Sequence, residues 1–299
     1  MSTQVVVEID GLVKHYGSNE AVRGIDLQIV KGQALGFLGP NGSGKSTTIR
    51  CLLGLLRPTA GRVSAFGLDA TREGVAVRRR LAYVPGELRL PERMTGEQLV
   101  ATIGQVRGGL DTRRRDELAE RLRLDLARPV RDLSTGNRRK LALLLAFVDV
   151  VELLVLDEPT NGLDPLMQRE FLALVREAKA AGVAVFLSSH VLGEVQRVAD
   201  RVAVLRSGKV IASGSVDELR RRARQKVEIW FAQEPPTAEI ARLPDLVEVV
   251  AEGRQVTAVL SGPIQPLLGF LAGQQVVSML IEEPDLEEAF LELYREPDL

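Results

Sequence analysis

The chain has 299 residues, of which 45% are hydrophobic and 26% charged, and a formal net charge of −1. This is globular composition, and the length suits two domains of roughly 150 residues each. A single cysteine, Cys51, excludes an internal disulfide, and with only His15 and His190 there are too few Cys and His for a zinc cage. The longest apolar run, Leu141 to Val148, falls well short of the ~18 to 20 residues of a membrane span. The start MSTQVVVEID lacks a basic leader region, so the chain is expected in the cytosol unless a partner holds it at a membrane.

In chain order, QVVVEI predicts a strand, KHYGSNEAV a polar turn carrying Tyr16, and ALGFLG a second strand that runs into LGPNGSGKST and a helix over KSTTIRCLLGLL. From Met94 to Val148 strands give way to helical periodicity, as in TGEQLVATIGQVRGG and TRRRDELAERLRLDL, predicting a helical subdomain over about 94–148. LLVLD and VAVFLSS then predict strands on either side of the helix LMQREFLALVREAKAAG, HVLGEVQRVAD reads as a helix and RVAVLRSG as a strand. Such alternation implies βαβ units, hence an α/β fold with a mixed, mostly parallel sheet covered by helices.

The charge balance changes after the basic run RRRARQK, Arg220 to Lys226. From Val227 to Leu299 there are 14 Asp and Glu against 3 Arg, a net charge of −11, which leaves about +10 on the preceding part. A domain boundary is therefore expected there, separating residues 1–222 from 227–299. In the acidic part VEIWFA, LVEVVA, QVTAVL and QQVVSMLI predict strands, EPP a turn and DLEEAFLELYRE a closing helix, together a small α+β domain.

The segment Leu38 to Thr47 matches G-x-x-x-x-G-K-[ST] between a strand and a helix, the context in which this motif cradles phosphate. Gly39, Pro40, Asn41, Gly42, Ser43, Gly44, Lys45, Ser46 and Thr47 are the expected nucleotide-binding loop. Its glycines let backbone N–H groups turn inward, and the helix behind presents its positive end. Lys45 supplies a charge for the β- and γ-phosphates, Ser46 a hydroxyl for Mg²⁺, and Thr47 a further phosphate contact. In LLVLDEPTNGLD a strand without polar alternation ends in two acids, which need a cation to offset their burial. Asp157 is expected to hold Mg²⁺ directly or through water, and Glu158, one residue past the strand, to orient the attacking water as general base. In LSTGNRRK, Arg138, Arg139 and Lys140 oppose the helix dipole, a broken local rule that points to an anion held nearby by Ser134 and Gly136.

GPNGSGKST, LSTGN, LLVLDEPTNGLD and SSH, in this order, resemble the ATP-binding subunits of ATP-binding-cassette (ABC) transporters over roughly Val5 to Arg222. The tail, with EEPDLEEAFLELY, is similar to the accessory domain of the daunorubicin and antibiotic resistance exporter ATPases. The resemblance implies ATP and Mg²⁺ as ligands, Tyr16 stacked on adenine, His190 at the γ-phosphate and Asp164 crossing a dimer interface. Ser134, Gly136 and Asn137 would contact ATP held by the other protomer, so that two chains sandwich two nucleotides. It further implies a second ATPase subunit, identical or different, and separate transmembrane permease subunits. The expected role is ATP hydrolysis that powers export of drugs, antibiotics or other hydrophobic compounds at the cytoplasmic face of the cell membrane, with no nucleic acid. The alternative is a soluble ABC ATPase serving repair, translation or cofactor assembly.

Two segments depart from the family pattern. Thr135 and Asn137 replace the usual second glycine and glutamine of the signature. In LAYVPGELRL, Gly86 stands where a glutamine is usual, and Glu87 follows. Either Glu87 substitutes for that glutamine, or the segment docks a membrane helix through Val84, Leu88 and Leu90, the reading favoured here because a further carboxylate near Asp157 and Glu158 adds repulsion.

Overall fold

The computed structural model describes residues 4–216, 218 and 225–282. They fall into two compact units, Met1–Ser213 and Gly214–Leu299.

The first unit is built on the apolar runs foreseen above. Strands β3 (Ala34–Leu38), β7 (Leu153–Asp157) and β8 (Ala184–Ser189) are buried along their whole length, as strands covered on both faces must be. With β6 (Leu81–Val84) and β9 (Arg201–Arg206) they run parallel, and β10 (Lys209–Ser215) closes one edge, in the order β10-β9-β3-β8-β7-β6. Ser207 and Gly208 both have positive φ, 46° and 81°, the twist a two-residue hairpin requires.

A second sheet has the order β2-β1-β4-β5, from β1 (Val5–Tyr16), β2 (Asn19–Val30), β4 (Ala60–Ala65) and β5 (Leu68–Asp69), and is antiparallel throughout. Its inner residues, among them Val7, Leu12, Ile25 and Ile29, share one core with Ile49 and Leu52 of helix α1 (Lys45–Leu52) and with Phe37, Val155 and Phe186 of the parallel sheet. Helix α2 (Gly74–Arg79) follows β5.

Residues 94–148 contain α3 (Gly96–Arg107), α4 (Thr112–Arg121), a 3-10 turn Val130–Asp132 and α5 (Thr135–Phe147). Thr95 opens α3 with a capping box to Gln98, and Asp111 caps α4 by accepting from Arg114 N at 3.0 Å. Arg121 joins α4 to α6 (Pro165–Ala180) through Glu170 at 2.6 Å and Glu177 at 2.6 Å. The helix foreseen in HVLGEVQRVAD is only α7 (Leu192–Val195) followed by turn. Gly193 and the β-branched Val191, Val195 and Val198 give it weak propensity, and Val195 and Val198 are buried by tertiary packing.

In the second unit β11 (Gln225–Phe231), β12 (Leu246–Glu252), β13 (Gln255–Leu260) and β14 (Val276–Ile281) form an antiparallel sheet of order β12-β13-β11-β14. One face buries Val227, Ile229, Val256 and Ala258 with Ile240 and Leu267 from two short helices. The closing helix expected at DLEEAFLELYRE lies outside the described residues, as does most of the basic run before β11.

Candidate active site

The carboxyl ends of β3, β7 and β8 come together at the amino end of α1, the usual crevice of a parallel α/β sheet. The loop leaving β3 has two glycines that nothing else could replace. Gly44, which caps α1, has φ 110°, and a Cβ there would lie 2.5 Å from Ala21 O; a Cβ on Gly39 would lie 2.4 Å from Leu205 O. No acidic residue sits in the first turn of α1, so its N–H groups and dipole face the loop unopposed. Pro40, Asn41 and Gly42 are exposed, while Ser46 and Thr47 are half-buried in the first turn of α1.

Lys45 turns back into the loop. Its buried Nζ donates to Gly39 O at 2.5 Å and Pro40 O at 3.3 Å, and stands 3.3 Å from Glu158 Oε1. Glu158 Oε2 in turn meets His190 Nδ1 at 2.8 Å. The three side chains form a row from the interior to solvent, 7% exposed at Lys45, 12% at Glu158 and 46% at His190. Glu158 sits at φ 48°, a left-handed conformation costing about 1 to 3 kcal/mol in a residue with a side chain, and its amide is held by Ser188 O at 3.1 Å. Asp157, the residue before it, is buried and accepts a hydrogen bond from Ser188 Oγ on β8.

Among the described residues three buried side-chain polar atoms have no hydrogen-bond partner: Ser43 Oγ, Arg138 Nε and Glu158 Oε1, the last paired with Lys45 by charge alone. Ser43 and Glu158 belong to the loop and the strand end that form this crevice, and such atoms are costly unless a ligand or water completes them. Among the described residues no cluster of three His, Cys, Asp or Glu could bind a metal alone. A cation here therefore needs the Ser46 hydroxyl and ligand oxygens besides Asp157, the ligand set Mg²⁺ usually takes.

The remaining expected residues stand in three other places. Tyr16, 44% exposed, lies at the β1–β2 turn with Lys14 Nζ 5.4 Å from its ring centroid. Asp164 caps α6, accepting from Met167 N at 2.9 Å. Ser134 caps α5, accepting from Asn137 N at 3.2 Å, and is exposed; a Cβ on the neighbouring Gly136 would lie 3.0 Å from Gly162 O.

In the basic triplet after Ser134, two of the cations have partners within the chain. Arg138 donates to Arg131 O at 3.0 Å, and Arg139 is buried, donating to Pro85 O and to Gly86 O at 2.7 Å each. Two of the three cations are thus turned to backbone carbonyls, which helps the helix tolerate them. Burial lowers the pKa of Arg139 below the usual guanidinium range, while Asp157 and Glu158 act in the opposite sense. Burial also pushes the phenol of Tyr83 up to about 12, reinforced by Asp157 and opposed by Arg50.

Ser188 and the contacts of Arg139 were missed. A signal existed for the serine: two hydroxyl residues closing VAVFLSS, an otherwise apolar buried strand, need partners.

The segment after β6 is also clarified. Val84 is fully buried, which removes it from any docking surface, while Leu88 and Leu90 remain partly exposed. The Glu87 side chain is 86% exposed, its nearest charge Arg89 at 3.7 Å. Glu87→Gln is therefore expected to leave basal ATPase and its Mg²⁺ dependence unchanged, and to alter stimulation by a membrane partner. A shift in half-saturating Mg²⁺ would instead give Glu87 the role of the missing glutamine.

A glycine-rich loop between a buried parallel strand and a helix, facing acids on the adjoining strand ends, defines a P-loop nucleotidase. The family model described as ABC transporter matches residues 22–161. Over 302 residues the chain is 36% identical to the daunorubicin resistance ATP-binding protein DrrA3 of Streptomyces coeruleorubidus, covering 96% of this chain and 95% of that one. It is 32% identical over 237 residues to the bacitracin transport ATP-binding protein BcrA of Bacillus licheniformis, covering 78% and 77%. Among solved structures, an ATP-binding subunit of an ABC transporter superposes with TM-score 0.68 at 30% identity, over 72% of this chain and 92% of that one. The chain belongs to the ABC transporter family, as one of its ATP-binding, ATP-hydrolysing subunits.

Proposed function

We propose that this chain hydrolyses ATP as one half of a head-to-tail pair of ATPase subunits, identical or different, and drives export through separate permease subunits at the cytoplasmic face of the membrane. The observation that carries the reading is the contact row Lys45–Glu158–His190 at the mouth of the glycine-rich loop. Export is favoured because the relatives are named for drug resistance and for antibiotic transport, and hydrophobic compounds of that kind are the substrates we assign.

In this scheme the residues of the loop Gly39–Thr47 seat the phosphates and Tyr16 stacks on adenine. Asp157 and Ser46 would hold Mg²⁺, which would supply positive charge to offset that of the phosphates. Glu158, oriented by His190 and Lys45, accepts a proton from the attacking water. His190, the most exposed of the three, reaches the γ-phosphate. Ser134, Gly136 and Asn137 serve the nucleotide of the other subunit, and Asp164 meets that subunit at the interface.

The transport assignment is tested by purifying the chain from native membranes. Recovery with a polytopic membrane protein supports it; an active ATPase that repeatedly comes free of any such partner overturns it. The acidic tail we assign to regulation or dimer support, since every nucleotide motif lies within Met1–Ser213. A chain ending at Arg222 is expected to bind ATP with near full-length affinity in a direct titration, and loss of binding in the folded truncated chain would place the tail in the site.

A further inference from the structure

Nothing in the fold requires a glycine at position 86. Its φ lies outside the left-handed region, and the three atoms nearest to a Cβ there all belong to Asp157, Oδ2 at 3.5 Å and Cγ and the backbone O at 3.6 Å, which is ordinary van der Waals contact. A Cβ would fit beside the Asp157 carboxylate, and none is present. Position 86 therefore meets Asp157 only through its backbone, and the placement of that backbone matters.

Arg139 fixes it. Its two terminal nitrogens donate to consecutive carbonyls, Pro85 O and Gly86 O, at 2.7 Å each. The rigid planar fork of a guanidinium suits two such acceptors, where an ammonium offers a single point. Arg139 is only 6% exposed, and its burial is compensated by the carbonyls and by the field of Asp157 and Glu158. It also belongs to α5, whose first residues follow the cap Ser134 and include Gly136. One short rigid helix thus carries the exposed Ser134 turn at its end and, a turn later, the group that grips the loop beside the acid pair.

We propose that Arg139 is a positioning residue that ties the seating of α5 to the placement of the Pro85–Gly86 backbone against Asp157, so that a shift of the Ser134 turn is felt at the metal-binding acid. The proposal rests on the assignment of Asp157 to Mg²⁺ made above. It gives this chain a means of linking the two places without a side chain at position 86.

The test uses the full chain with Arg139→Lys, which keeps the charge and loses the fork, and Arg139→Gln, which loses the charge and keeps one amide donor. Amide hydrogen exchange over residues 84–90 is expected to speed up in both, while ATP affinity in the absence of metal stays at the wild-type value. Half-saturating Mg²⁺ for basal ATPase is expected to rise, and kcat to fall, each by ~10-fold or more, the usual effect of disturbing a group that orients a metal ligand. Unchanged exchange over 84–90 would overturn the proposal. So would faster exchange with unaltered Mg²⁺ dependence and kcat, or a general loss of stability in which metal-free ATP binding falls in step. Asp157→Asn, measured alongside, separates the two assignments. If it too leaves the Mg²⁺ dependence unmoved, the metal assignment fails, and Arg139 is judged on kcat at saturating Mg²⁺: a fall supports positioning and no change removes it.

Discussion

Glu158→Gln is expected to bind ATP nearly as the wild type does and to turn it over ~10² to 10⁴ times more slowly, the range for loss of a general base. The substitution preserves shape. A glutamine Oε1 can sit where the carboxylate oxygen stands, 3.3 Å from Lys45, and its amide can still meet His190, now at 2.8 Å. The backbone cost at φ 48° is the same for both side chains, so folding is little disturbed. Only the ability to take a proton is removed. ATP binding without hydrolysis should then accumulate an ATP-bound dimer, detectable as a doubled mass on size-exclusion chromatography with light scattering. Undiminished hydrolysis in a well-folded Glu158→Gln protein would take the catalytic role away from this residue.

The site could be read from sequence because its parts are local. The glycine spacing of Gly39–Thr47 and the two acids closing LLVLD each obey a rule that holds within about ten residues, and both lie on strands whose apolar runs are unbroken. Most of what escaped was non-local. Strand β2 alternates Ile25, Leu27 and Ile29, yet its ladder with β1 is interrupted by bulges, and β4 shows only Val63 and Ala65 as buried residues. The alternation in β2 is a local signal that was missed, whereas β4 has little local pattern and is marked by its partners. The same holds for Arg139, whose carbonyl acceptors lie 53 and 54 residues earlier in the chain. From sequence it could only be seen as a cation in an unfavourable place, with nothing local to show that carbonyls of a distant loop receive it. Val84 shows the converse error, an apolar residue assigned to a surface that the parallel pairing of β6 with β7 buries.

Lys45→Ala has its largest effect on binding itself. In the structure Nζ is already occupied, by Gly39 O at 2.5 Å, Pro40 O at 3.3 Å and Glu158 Oε1 at 3.3 Å, so the ammonium is pre-placed among groups that a phosphate would partly replace. Replacing these with phosphate oxygens exchanges one set of charge-assisted contacts for a stronger one. Hydrogen bonds to charged groups contribute about 1.5 to 3 kcal/mol each, which corresponds to a ~10- to 100-fold loss of ATP affinity when the ammonium is removed. The fold itself should persist, because Gly39 and Gly44 still pack closely against Leu205 and Ala21 when the bonds from Lys45 to the loop carbonyls are lost. Glu158 would lose the cation on its buried side and keep only His190, leaving Oε1 without any compensating charge. Lys45→Ala is therefore expected to lose hydrolysis as well, and Glu158→Gln should restore part of its stability, since a neutral amide no longer needs that cation. Calorimetric titration with ATP and thermal melting of the two single variants and the double variant measure both effects. Wild-type affinity in Lys45→Ala would contradict the phosphate-binding role of the loop, and a double variant no more stable than Lys45→Ala would show that Glu158 does not depend on the lysine.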